Sequence, residues 1–459
     1  MSEYQISVEP KVVPLVKTAH RDIGTAIPAP GTSELIESLA HMEPKSMHAQ
    51  LPIVWDSAEG HSVFDSAGNK WIDFTSTIFV SNIGHSNPEL LAVLHASLDA
   101  QLLHSYTYPT QIRAEYTQKL IDFVGSPFEK AFLLSSGTEA VEAAIKLMRM
   151  NGKLAGKRRQ GIICFDGNYH GRTLGAQLAT GNSEQKSWAG DTCFDVHHIP
   201  FPYPWEVNEG GGAELFQRAI EQFEEQEIDP KDDIAGILLE TFQGWGAVFY
   251  PQDYVKAVEE FCVQNEILLA FDEMQAGFAR TGKKFGFEHY SVTPDLICCG
   301  KGMGGGVPLS GVIGRAEVLD IPDVGDMSST HSANPLCCAA GMETIRIIEE
   351  LDLVSEADRK GRLLFSGLED IKRAYPGRIS RICGHGLIAS MHTENPKTGE
   401  PDSKLASKIS ERCMQKGVLV VHTGRESIKL GPPLTISDDA LEEGVSVIAE
   451  AVQEVVGDI

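Results

Sequence analysis

Lys301 stands at the end of an apolar run, Asp295 to Cys299, and is followed by Gly302, Gly304, Gly305 and Gly306. A lysine placed where a buried strand gives way to a glycine loop is partly desolvated. Desolvation lowers the pKa of its amine and makes it a nucleophile towards a carbonyl. A second apolar run, Ile267 to Phe271, ends on the carboxylates Asp272 and Glu273, with Met274 and Gln275 behind them. In open α/β sheets ligands bind at such carboxyl ends of strands, and there an acid on the neighbouring strand can hold a pyridinium N–H. A third stretch offers an anion site. The short strand Ala131 to Ser135 runs into Ser136-Gly137-Thr138-Glu139 and then into a helical pattern, Ala140 to Met150. Backbone N–H groups and hydroxyls at a helix N-terminus hold phosphate, with the same geometry as an ordinary N-cap. A lysine able to form an imine, an aspartate for a ring nitrogen and an anion turn are together what a pyridoxal phosphate site requires.

These groups need strands and helices to carry them. Gly161 to Phe165 reads as a buried strand leading to Asp166-Gly167-Asn168-Tyr169-His170-Gly171-Arg172-Thr173, and Ile234 to Leu239 as another, ending at Glu240. Gln252 to Asn265 carries apolar residues at helical spacing, and Pro308 to Gly314 reads as a strand. Residues 181 to 233 are polar apart from an acidic helix near Ala213 to Glu225, and are expected to form a surface excursion. The first fifty residues suggest an arm with one short helix, Ser33 to Leu39, and two alternating runs flank the turn Ser66-Ala67-Gly68-Asn69. After a helix from Leu336 to Leu351, the C-terminal part alternates helix and strand: helices 355–374, 403–416 and 438–455, and strands near 379–392 and at 418–422. The expected architecture is α/β: a large domain (66–335) with a mostly parallel mixed sheet between helices, an arm and part of a small domain (1–65), and a small α+β domain (336–459).

The chain has 459 residues, long enough for two lobes. Hydrophobic residues make up 42% and charged residues 22%, as in an ordinary globular protein. The formal charge of −25 argues against nucleic acid or an anionic membrane as partner. Nine scattered cysteines without zinc or framework spacing suit reduced thiols. The polar N-terminus shows no apolar signal segment, and no apolar run is long enough to span a bilayer. A cytoplasmic enzyme is the expectation.

The stretch Asp272-Glu273-Met274-Gln275, Gly277, Arg280-Thr281-Gly282, Pro294-Asp295, Lys301 and Gly306-Val307-Pro308-Leu309 resembles the signature of class III pyridoxal-phosphate aminotransferases, which include the 4-aminobutyrate and ornithine transaminases. The resemblance covers roughly residues 50 to 455. It implies a fold-type-I enzyme with Lys301 as the Schiff-base lysine and proton carrier and Asp272 on the ring nitrogen. It further implies Gln275 on the phenolic oxygen and Tyr169 and Met274 on opposite faces of the ring. Ser136, Gly137 and Thr138 would cradle the phosphate, with His170 and Glu240 completing the cofactor site. Thr330, in Thr330-His331-Ser332-Ala333-Asn334-Pro335, would reach the phosphate of the other subunit, so a homodimer with shared sites, or a tetramer, is implied. Gly60, Asp65, Gly68, Asp73 and Gly84-His85-Ser86-Asn87-Pro88 match the family's N-terminal region, which lines the substrate entrance.

The substrate residues implied are Ile78, where 4-aminobutyrate enzymes carry isoleucine, and Arg172, whose fork matches a distal carboxylate. Two positions depart from the pattern. Trp245 stands where many members have a gating glutamate, and Lys429 where its arginine partner is usual. A point charge in place of a bidentate clamp alters α-carboxylate binding and puts 2-oxoglutarate in doubt as acceptor. The activity implied is amino transfer from an ω-amino acid or related primary amine to a keto acid. No metal is implied. An epimerase or decarboxylase of the same family would share these cofactor residues. A nucleotide-binding oxidoreductase or a non-catalytic phosphate-binding module is the reading from another class. No G-x-G-x-x-G fingerprint opens a βαβ unit here, which disfavours it, and Lys301 would then have no role.

Overall fold

The computed structural model describes residues 4–47, 50–190, 194–208 and 210–457. They divide into two compact units: one of residues 1–87, 245–247 and 355–459, the other of 88–244 and 248–354.

The second unit is built on seven strands: β1 (Lys130–Leu134), β2 (Gly161–Phe165), β3 (Val196–Ile199), β4 (Ile234–Glu240), β5 (Leu268–Asp272), β6 (Leu296–Cys299) and β7 (Ser310–Gly314). Their order across the sheet is β1-β7-β6-β5-β4-β2-β3. Only β7 runs antiparallel to its neighbours. Every residue of β2, β4, β5 and β6 is buried, so these strands read as continuous apolar runs rather than alternating ones. Helix α1 (Gly137–Leu154) lays Ala140, Val141, Ala144, Leu147 and Met148 against Leu238, Ala270 and Leu296. Helix and sheet approach closely there: a Cβ on Gly236 would lie 2.1 Å from the Met148 sulfur. The helix Gln252–Asn265 and strand β2 have the limits expected from sequence.

The expectation for residues 181–233 needs correction. Val196–Ile199 is not surface excursion but the edge strand β3, paired in parallel with β2 through Ile162 and Val196. Two of its four residues are histidines, so apolar content alone did not mark it. The helix Gly212–Glu225 does form.

In the first unit the two ends of the chain share a six-stranded sheet. Its path runs Val16–Lys17, Asp22–Ile23, Lys70–Asp73, Ser62–Phe64, Ser57–Glu59, and Val418–Leu419 joins Lys70–Asp73 in parallel. The arm's helix is Thr32–Met42. The arm's two short strands escaped the sequence reading because two residues carry no periodicity. Trp71 is fully buried and its indole N–H donates to the Met414 carbonyl at 2.8 Å. An antiparallel sheet of Ile379–His385, Ile388–Thr393, Ser427–Leu430 and Val421–His422 completes the unit with helices Ser403–Gln415 and Asp438–Gly457. No helix among the described residues is long and apolar enough to cross a membrane.

Candidate active site

The carboxyl ends of β1, β2, β4, β5 and β6 converge on one cavity of about 240 Å³. Lys301, Asp272, Gln275, Met274, Glu240, Tyr169, His170, Arg172, Gly137 and Thr138 all line it, and Gly171 joins them. A larger cavity of about 770 Å³ beside α1 is lined largely by apolar groups such as Phe132, Leu134 and Phe194 and holds none of these residues.

Asp272 is the last residue of β5, and in the sheet register it lies beside Glu240, the last of β4. One Asp272 oxygen accepts from the Met274 N–H at 3.1 Å and the other from His170 Nδ1–H at 2.9 Å. His170 is 3% exposed. Burial lowers the Lys301 amine below the ordinary lysine range, while the Asp272 carboxylate pulls it back up. The backbone of Lys301 has φ +42°, a left-handed conformation rare outside glycine. Its neighbour Gly300 leaves room that a Cβ would not: the Met274 sulfur would stand 2.8 Å from it. The second acid of the motif, Glu273, turns away from this chemistry. It accepts from the N–H groups of Gly286 and Phe287 at 2.8 and 2.7 Å and from the Thr241 hydroxyl at 2.5 Å, bracing the loop after β5.

At the opposite wall, the Glu139 carboxylate reaches back to the Ser136 N–H at 2.8 Å and starts α1. Ser310 Oγ donates to the Ser136 carbonyl at 2.7 Å and pins the turn to β7. Ser136 itself is exposed and does not line the cavity. Thr138 and Thr173 share a hydroxyl contact of 2.6 Å. Tyr169 is 40% exposed, and the Arg172 guanidinium lies 5.2 Å above its ring. Arg172 Nη1 donates to Gln185 at 2.8 Å.

The N-terminal turn of α1 supplies N–H groups and a hydroxyl for an anion. Gly137 and Gly171 leave open the space a Cβ would fill: it would meet the Met274 sulfur at 2.7 Å and the Thr138 hydroxyl at 2.3 Å. An amine, a buried carboxylate and a phosphate turn around one small cavity match the aldehyde, ring nitrogen and phosphate of pyridoxal 5′-phosphate.

Thr330 is exposed and lies outside the cavity; its carbonyl accepts from His104 Nε2 at 2.7 Å. Ile78, Trp245 and Lys429 belong to the first unit. Ile78 sits in a left-handed turn of four non-glycine residues, Ser76 to Phe79, with φ of 45°, 52°, 61° and 68°. Asp73 and Gly431 hold this turn through the Thr75 N–H and the Ser76 hydroxyl, both at 2.7 Å. The Lys429 ammonium lies 4.4 Å from the centre of the Phe79 ring. Ser427 Oγ donates to the Trp245 carbonyl at 2.9 Å, and the Arg425 guanidinium stacks 3.7 Å from the Trp245 ring. Sequence reasoning overlooked Arg425, which no motif singles out. It also overlooked Gly171, although the aromatic-His-Gly-Arg run contained it.

The class-III aminotransferase pattern matches residues 44–452. The 4-aminobutyrate aminotransferase of Mycobacterium leprae (strain TN) is 33% identical over 442 residues, covering 94% of this chain and 97% of its own. The acetylornithine aminotransferase of Caldanaerobacter subterraneus subsp. tengcongensis is 30% identical, covering 88% and 96%. Among solved structures, a transaminase from the marine bacterium Virgibacillus superposes with a TM-score of 0.83 at 26% identity, covering 93% of this chain and 99% of that one. The chain belongs to the class-III aminotransferases. Its mixed, mostly parallel sheet is that of fold-type-I enzymes, its cofactor is pyridoxal 5′-phosphate, and its reaction is the transfer of an amino group.

Proposed function

We propose that this enzyme takes its amino group from an ω-amino acid or related primary amine and passes it to a keto acid, acting as a cytoplasmic homodimer. Relatives that carry the names 4-aminobutyrate and acetylornithine aminotransferase support the donor class, and favour transamination over epimerisation or decarboxylation. The observation that carries the reading is the meeting of the Lys301 amine, the Asp272 carboxylate and the N-terminal turn of α1 around one cavity.

When bound, pyridoxal 5′-phosphate supplies an aldehyde for amines and a cationic ring that draws electrons from the substrate carbon. Lys301 Nζ is the nucleophile towards that aldehyde. As a free amine, Lys301 Nζ would hold the proton taken from the donor carbon. Asp272 accepts the ring N–H and by its charge keeps that nitrogen protonated. His170, donating to the other side of the carboxylate, orients it. Tyr169 and Met274 would cover the ring and exclude water, and Gln275 would serve its phenolic oxygen. Gly137 and Thr138 hold the phosphate, with Ser136 as their cap and Thr330 of each chain serving the partner subunit. Arg172 anchors the distal carboxylate of the donor, and Ile78 is a second donor-binding residue. Lys429 and Trp245 in place of an arginine–glutamate gate disfavour 2-oxoglutarate as acceptor.

Hydride trapping followed by peptide mass spectrometry tests the reading. A stable cofactor adduct on Lys301 is expected, and an unmodified Lys301 in a trapped holoenzyme overturns it. A panel of amines added to the aldehyde-loaded enzyme, followed by absorbance, then ranks the donors; bleaching by ω-amino acids ahead of α-amino acids is expected.

A further inference from the structure

Glu240 is the second carboxyl at the cavity floor, and its surroundings differ from those of Asp272. It is 4% exposed. One of its oxygens accepts two backbone N–H groups, from Tyr169 at 2.9 Å and Gly244 at 3.0 Å. The other lies 3.3 Å from the Gln275 amide nitrogen. The slot is closely fitted: a Cβ on Gly244 would come within 2.5 Å of the Glu240 oxygen and 2.3 Å of the Gln275 nitrogen.

We propose that Glu240 is a proton-holding positioning residue, fixing the ring-covering Tyr169 segment, the Gly244 turn and the Gln275 amide to the floor of the cofactor cavity while its carboxyl stays neutral. The inference rests on the proposed roles of Lys301 and Asp272. Glu240 and Asp272 end neighbouring parallel strands in direct register. Two buried carboxyls so placed do not both ionise readily, and the one with the stronger hydrogen-bond donor keeps the charge. Asp272 has the His170 ring at 2.9 Å, whereas the contacts given above for Glu240 are peptide N–H groups and an amide. Burial, and then the Asp272 charge, push the Glu240 carboxyl up to about 7. His170 and the two N–H donors act in the opposite direction without cancelling this. The other ionisable groups facing it are Lys301, whose amine loses its charge when it joins the cofactor, and the buried phenol of Tyr250. A neutral carboxyl still accepts both N–H groups on its carbonyl oxygen, so the tie to Tyr169 survives while the floor carries one negative charge rather than two.

The test uses holoenzyme of the wild type, E240Q and E240A. A glutamine keeps the acceptor and cannot ionise. E240Q is expected to hold the cofactor within about threefold of wild type, and E240A to release it about tenfold or more readily, the cost of orphaning buried N–H groups. Infrared difference spectra of wild type against E240Q at neutral pH should show the carbonyl stretch of a protonated carboxyl. This readout needs no E240A protein, should that variant fail to fold. The absence of that band, or E240Q losing cofactor as E240A does, overturns the neutral carboxyl. E240A holding cofactor as wild type does overturns the positioning role. Hydride trapping on the same samples separates the two readings. An unlabelled Lys301 in wild type sinks the proposed function, while a labelled Lys301 with any of the contrary outcomes sinks only this inference.

Discussion

At the scale of single residues, the site works by giving chemically similar groups different surroundings. Asp272 is paired with His170, Glu240 with peptide N–H groups, and Glu273 with a loop it braces. Of the three, it is Asp272 that accepts from an imidazole. Asp272→Asn removes the charge that keeps the ring nitrogen protonated. An opposite charge at this range is worth about 1–3 pKa units, so kcat is expected to fall about 10- to 1000-fold while Lys301 still traps cofactor. Steady-state rates alongside hydride-trapping yield check this, and an unchanged kcat would remove Asp272 from its role. Lys429 belongs to the same scale. Replacing a point charge by a fork adds about one charge-assisted hydrogen bond. Lys429→Arg is therefore expected to raise kcat/KM for 2-oxoglutarate by roughly tenfold. A shift in melting temperature without a change in acceptor preference would instead mark Lys429 as a packing residue against Phe79.

At the scale of elements, the phosphate turn shows what backbone shape contributes. Gly171 has φ +140°, and a Cβ there would stand 2.3 Å from the Thr138 hydroxyl and 3.0 Å from the Ala176 Cβ. Gly171→Ala both strains the backbone and displaces a hydroxyl assigned to the phosphate. Cofactor affinity measured by dialysis should fall at least about tenfold, roughly the loss of one charge-assisted hydrogen bond. Unchanged affinity would exclude close approach as the reason for this glycine. The elements bearing the chemistry were legible in sequence because each couples an apolar run to a chemically distinctive end: Phe271 to Asp272, Cys299 to Lys301, Leu239 to Glu240. Long periodic helices such as Gln252–Asn265 were legible for the same reason. What escaped has a common physical cause. Val196–Ile199 joins the sheet with two histidines among its four residues, and the turn at Ser76–Phe79 takes left-handed angles without a single glycine. In both, tertiary contacts override local preference. The stacking of Arg425 on Trp245 was invisible because nothing in the sequence separation of 180 positions links them.

At the scale of the whole molecule, buried carboxyls and a large surface charge both tie stability to pH, and they can be separated. Glu240, ordinarily titrating at 4.5, is raised to about 7 by burial, and Glu273 is raised likewise to about 7. The folded apo-protein therefore holds protons that the unfolded chain has already released between these values. The stability this brings is complete below about 4.5 and is lost as pH rises through about 7. Two half-buried histidines, His61 and His198, lowered from 6.5 to about 4, work in the opposite sense. Their effect ends once pH passes 6.5; above that value the carboxyls are opposed by lysines such as Lys301, whose amines burial lowers, and the comparison with E240Q isolates the Glu240 share. The net charge of −25 also disfavours compactness as pH rises, but that repulsion is spread over the surface and is screened by salt, whereas a buried proton is not. Melting temperatures of wild-type and E240Q apo-protein, taken between about pH 6.5 and 8 at low and high salt, should diverge in slope. Wild type should lose more than E240Q across the window, and the difference should persist in salt. Parallel slopes would mean that Glu240 is already ionised throughout, leaving two adjacent negative charges at the ends of β4 and β5 and requiring a compensating cation, which Lys301 in its uncombined form could supply.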